Sequence, residues 1–232
     1  MQMVGVSNNA GALGLRVYRA PKALAGKTLT LRNVLRNSSP FASGLTDAER
    51  SWRMRNWPNV IRGAWRLFIA KWLHIPVQYG QLWLRVHRAD GSVEDLGLAG
   101  FKQVTTVGAG FIVDAWQNSV ELENMKYHGF GSGGGAEGAA NTALTTEFTT
   151  EYATDNVRPT GTTAEGASAN IFSSVATFTP DAAAAVTEHG LFDQAANSGG
   201  VLFDKTLFSV VNLNGTGDAL VGTYQWTMAT GG

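Results

Sequence analysis

The sequence predicts a mainly β protein: an antiparallel β-sandwich or jelly-roll-like domain, preceded by a basic arm and a short helical hairpin. Three observations carry that reading. From Tyr79 onward, runs rich in Thr, Val and aromatic residues alternate with period 2. Turn residues separate these runs at nearly regular spacing, and the 232 residues include 28 glycines and six prolines. Around residues 46–76 the apolar period becomes helical instead. The organisation expected is therefore residues 1–75 as a basic N-terminal arm with a helical docking region, and 76–232 as an acidic β-sandwich domain.

The first 39 residues alternate small apolar and basic stretches. Leu13, Leu15 and Val17, then Leu29 and Leu31, are spaced as in short strands. Thr46-Asp47-Ala48-Glu49 forms a capping box, so a helix should begin there. Trp57-Pro58 should end it, because the residue before proline avoids the α region. Pro58 then suits the first turn of a second helix, Asn59–His74, closed by Pro76. On that second helix Ile61, Trp65, Phe68, Ile69 and Trp72 share one face.

Expected strands follow: QLWLRVHR and SVEDLGLAG around an Asp90-Gly91 turn, then FKQVTTV and GFIVDAW around Gly108-Ala109-Gly110. ALTTEFTTEY, SANIFSSVATFTP, VTEHGLF, VLFDKTLFSVV and ALVGTYQWTM complete the set. Two stretches echo one another. Glu121–Gly135 carries His128-Gly129, and Val186–Phe203 carries His189-Gly190, sixty-one residues later. The echo reads as two strand-to-loop corners of one β-domain.

Charge divides the chain. Residues 1–90 carry 14 Lys and Arg against three acids, a balance of +11; the remainder is −11, and the whole is neutral. There is no cysteine, which excludes disulfides, thiolate metal sites and a Cys nucleophile. The first residues have neither the charged nor the apolar region of a secretion signal, so synthesis and folding in a cytoplasm are expected.

Chemical motifs are few. Gly129–Gly134 matches GxGxxG in form, but the sequel is Gly, Ala, Asn and Thr leading to a strand, not the helix a dinucleotide site needs. His128 with His189, assisted by Glu123 or Glu188, is a conceivable metal set; His before Gly at a strand end more often fixes a corner. No GxSxG elbow is present. The expectation is no catalysis, no cofactor and no metal.

The partner-binding candidates are Arg50, Arg53, Arg55, Arg62, Trp65, Arg66, Phe68 and Trp72, because arginines beside aromatics suit protein interfaces. The same pattern also fits a basic amphipathic helix on a membrane, a phosphate-contacting patch on nucleic acid, or a helix packed on its own domain.

Several ordered blocks resemble a family of small virion structural proteins of tailed bacteriophages: LWLRVHRADGSVEDLG, VTTVGAGFIVDAWQNSVELENMKYHGFGSG, ALTTEFTTEY with RPTGTTAEGASANIF, and VTEHGLFDQAANSGGVLFDKTLFSVVNL. The likeness covers about residues 78–232. It implies a β-rich particle component with no catalytic residue to carry over. The expected role is a capsid decoration or cement protein in the virion. Its basic N-terminal region would grip the major capsid protein or another virion protein, and it would self-associate, as a trimer by analogy. A tail, neck or fibre component is the alternative within that class. A membrane- or nucleic-acid-binding helix protein is the alternative outside it.

Overall fold

The computed structural model describes residues 31–73, 78–153 and 155–228. Among these residues eight antiparallel strands form two sheets joined at one corner: β1 (Gln78–His87), β2 (Val93–Val104), β3 (Tyr127–Gly131), β4 (Thr162–Glu165), β5 (Ile171–Phe178), β6 (Ala183–Phe192), β7 (Leu202–Asn214) and β8 (Ala219–Met228). Their order is β3-β6-β7-β2-β1-β8-β5-β4, and β2 meets β7 only at Gln103–Lys205 and Val104–Asp204. Beyond that corner the two strands part, and the sheets enclose a core of Leu82, Leu84, Phe130, Phe178, Val186 and Phe208. The mainly β, sandwich-like expectation matches this architecture.

Among the described residues three α-helices pack on it: α1 (Leu31–Ser38), α2 (Asp47–Trp72) and α3 (Thr106–Trp116). The capping box forms as spelled. Glu49 N donates to Thr46 Oγ1 at 3.2 Å, and Thr46 N donates to Glu49 Oε2 at 2.8 Å. The expected break at Pro58 does not occur: α2 is one helix of 26 residues with Pro58 inside it, not a hairpin. Proline in a helix interior costs about 3 kcal/mol or more. Packing beyond the proline offsets this, since Val60 and Ala64 are buried with Val34, Trp83, Leu98 and Phe101.

What holds α2 is the gap between β2 and β7. Each strand bulges there: β2 slips register around Ala99, and β7 carries extra residues between Leu207 and Val211. A bulge leaves ladder groups unpaired. Asn56 satisfies both sides, donating Nδ2 to Ala99 O at 2.7 Å and accepting from Ser209 N at 2.9 Å through Oδ1. Trp52 Nε1 donates to Ser209 O at 3.0 Å, while its ring joins the core.

Three expected strands take other forms. Leu31 opens helix α1, because Leu31, Val34, Leu35 and Ser38 form one helical face with Val34 fully buried; Leu13, Leu15, Val17 and Leu29 lie outside the described residues, as do His74 and Pro76. GFIVDAW belongs to α3, whose N-cap Thr105 accepts from Gly108 N at 2.9 Å through Oγ1. Gly108 allows the helix to lie directly on β7, where a Cβ would overlap the Phe203 backbone. ALTTEFTTEY forms only isolated bridges, because carboxylates take its amides. Thr145 and Thr146 donate to Glu188, and Thr149 and Thr150 donate to Glu151.

Asn56→Ala strands a buried carbonyl and a half-buried amide together, so it should lower unfolding stability in urea by about 2–5 kcal/mol. Trp65→Ala, on the exposed side of the same helix, should change it by less than about 0.5 kcal/mol. Equal losses for the two variants would contradict this division of α2.

Candidate functional site

Two places concentrate side chains that a sandwich of this kind does not need for its apolar core. One is buried between the sheets; the other is the outward face of α2.

The buried one begins with the echoed motifs. They are not corners: β3 and β6 pair with Gly129 opposite Gly190. The missing side chains leave room for the Phe192 ring, which a Cβ on either glycine would strike. The same register brings the two imidazoles together, with His189 Nε2 2.9 Å from His128 Nδ1. Lys102 Nζ contacts His189 Nδ1 and lies 3.1 Å from Asp204 Oδ1, and His128 Nε2 lies 2.9 Å from Ser174 Oγ. All five side chains are buried, and together they link β7, β2, β6, β3 and β5.

The proton positions follow from Lys102, whose ammonium only donates. His189 Nδ1 must therefore accept, so His189 Nε2–H donates to His128 Nδ1, and His128 Nε2–H donates to Ser174 Oγ. Read as a Ser–His–His triad, the chain has the wrong polarity. A general base needs an empty nitrogen facing the hydroxyl. It is also sealed, since Gly161 covers the serine closely enough that a Cβ there would overlap Ser174 Oγ.

An added proton on either histidine would set donor against donor. Burial and the Lys102 charge accordingly hold His128 down to about 3, and burial, Lys102 and His128 hold His189 well below its usual value. Burial lowers Lys102 and raises Asp204, each offset in part by its partner. Next to this chain, Glu188 pairs with Lys205 at 3.0 Å. Burial alone would raise Glu188, but the amides of Thr146 and Thr145 and the Lys205 ammonium outweigh it and keep the carboxylate low. The conceived metal set is therefore not assembled: the imidazoles bond one another and Glu188 holds a loop. Among the described residues no group of three or more His, Asp or Glu is placed to hold a metal ion. The Gly129–Gly134 run leaves β3 for irregular chain, with no helix behind it.

The second place is α2. Its buried side is Trp52, Arg53, Asn56, Val60 and Ala64, and Gly63 lies against the Phe101 ring. The large residues of the predicted stripe point away from the sheets. Trp65 is 60% exposed, Phe68 53% and Trp72 73%, with Ile61, Ile69 and Leu73 also exposed. Trp65 and Phe68 stack with centroids 5.4 Å apart. Arg62 and Arg66 are exposed beside them, and Arg50 and Arg55 are exposed nearer the helix start, Arg55 donating to Ser51 Oγ at 2.8 Å.

Arg53 is the exception among the eight candidates. It is 6% exposed and donates to Asn37 O and Asp95 O, each at 2.9 Å, with its guanidinium lowered by burial. It ties α1 to β2 and is not on the outward face. Sequence reasoning passed over Lys102, Ser174 and Asp204. For Lys102 and Asp204 the signal was a charge inside an otherwise apolar strand, as in FKQV and VLFDKTLF.

A scan of the chain against protein-family models matches none of them, and a search of curated proteins finds no match. Among the described residues, no helix is long and apolar enough to cross a membrane.

The two neutral histidines set an acid limit on stability. Unfolded, each titrates near 6.5. Folded, each refuses the proton, so stability is full above about pH 6.5 and falls as pH drops toward the folded values. The slope is up to about 1.4 kcal/mol per pH unit per histidine. Urea unfolding between pH 7 and 5 should show it. In the variant carrying His128→Gln and His189→Gln, which cannot titrate there, the slope should shrink by up to about 2.7 kcal/mol per pH unit, although the variant is less stable at every pH. An unchanged slope would refute the neutral chain.

Proposed function

We propose that the protein is a structural component of a tailed-bacteriophage particle, a capsid decoration or cement protein that docks to neighbouring virion protein through the outward face of α2. The observation that carries this reading is the exposure of Trp65, Phe68 and Trp72 on one helix, in line with Ile61, Ile69 and Leu73. Monomeric soluble proteins rarely leave so much contiguous apolar surface uncovered. Aromatics with arginines at their edge are what the centre of a protein interface favours. The ordered sequence blocks that resemble small virion proteins supply the setting. The reading involves no catalysis, and the reversed polarity of the Ser174–His128–His189 chain is consistent with that.

Magnitudes rank the contacts. Burying each large aromatic side chain contributes about 1.5–3 kcal/mol, whereas an exposed ion pair contributes about 0.2–1 kcal/mol and is screened by salt. The apolar residues should dominate. In co-sedimentation with particles that lack the protein, Trp65→Ala should weaken binding by about 10-fold or more. Arg62→Ala should weaken it only a few-fold, with the loss fading as salt rises. Trp65→Ala binding as well as the native chain would overturn the docking role of α2.

A further inference from the structure

The outward face of α2 has a counterpart on the same chain. Behind α2 lies a cavity of about 300 Å³, lined on one side by Arg62 and Arg66 and on the other by Gly134 and Glu137. Glu137 accepts from Leu207 N at 2.7 Å, and burial raises its carboxyl in spite of the neighbouring cations. Neither arginine forms an ion pair among the described residues. The arginine-lined cavity is a socket on the same helix as the stacked Trp65 and Phe68.

The second surface follows α3. Trp116 is 74% exposed, Val113 48% and Leu122 50%. Leu122 opens a one-turn 3-10 helix, Leu122–Asn124, and is flanked by exposed Glu121 and Glu123, with Asp114 exposed nearby. These acids also form no ion pair among the described residues. One surface is therefore apolar with a basic border and the other apolar with an acidic border, and within one copy they do not neutralise each other.

We infer that the occupant of the α2 face is a second copy of this chain, seated by its Glu121–Glu123 turn, with Leu122 against Trp65 and Phe68 and its carboxylates toward Arg62 and Arg66. This rests on the docking reading of α2 and names the partner. The contact is heterologous: each copy offers a socket to one neighbour and a knob to the other. Such contacts close into a ring when the rotation between copies permits and otherwise extend as a filament.

Analytical ultracentrifugation of the purified full chain at low salt tests it. The native chain should sediment as an assembly. R62E/R66E and E121R/E123R should each weaken self-association about 30-fold or more, because two attractive pairs become repulsive. Mixing these two variants should restore the assembly with the two alternating, since the knob of each then meets a socket of opposite charge on the other. The four-fold charge swap in a single chain should restore the assembly. Arg55→Glu, on α2 but away from the socket, should leave it intact. Charge-reversed variants that keep the native mass would overturn the proposal. So would a native chain that is monomeric and yet co-sediments with particles through Trp65, a result that leaves the particle reading standing and assigns the socket to another virion protein. Assembly with the expected charge-swap pattern but no particle binding would support the head-to-tail contact and remove the particle reading.

Discussion

The structure depends on how the parting of β2 from β7 is sealed. Two sheets that share a corner must diverge from it, and divergence leaves backbone amides and carbonyls inside the protein without ladder partners. An orphaned buried peptide group costs about as much as a lost hydrogen bond. Asn56 and Trp52 supply the missing partners from one helix, on both lips of the gap. That requirement explains why α2 runs through Pro58, and it explains the small residues on its inner side. Gly63 and Ala64 bring the helix close enough for Asn56 to reach. The large aromatics that the helical period gathers on one face are left outside as a result.

The same economy governs the irregular chain. Residues 132–151 form little regular structure, yet their amides are not idle: Glu188 takes three of them and Glu151 two. Asp218 holds the neighbouring hairpin ends, accepting from Ala89 N and Asn214 N while paired with Arg88. Arg158, almost wholly buried, pairs with Glu147, donates to two carbonyls and covers the Phe192 ring. Loop conformation is thus set by charged side chains rather than by turn residues alone.

How much of this was legible follows from which residues speak locally. The alternation in QLWLRVH and ALVGTYQWTM, the Asp90-Gly91 turn and the Thr46–Glu49 box each concern near neighbours, and each forms as spelled. Pro58 misled because its local cost is real but smaller than the packing of Val60 and Ala64 beyond it. GFIVDAW misled because Phe111-Ile112-Val113 suits a strand until the Thr105 cap is considered. The stripe on α2 was correctly gathered on one face, but the period of a helix does not say which face meets the sheet. The polar chain between the sheets required knowing that Gly129 would oppose Gly190, a fact of register that no window of sequence contains.

The cover over β3 has a consequence for how the sheet presents itself to other chains. Its outer edge is occupied: His128 N donates to Pro159 O and Gly161 N to Lys126 O along one stretch, and Phe148 N donates to Phe130 O and Ser132 N to Thr146 O along the next. At the other end of the order, β4 pairs on one side only among the described residues and is four residues long, finishing in the charge of Glu165. A flat, exposed strand edge invites another chain to continue the sheet, which is the route to swapped and fibrillar forms. Here that invitation is short and charged. A neighbouring chain therefore finds little free backbone at either end of the strand order, and crowding does not favour extension of the sheet.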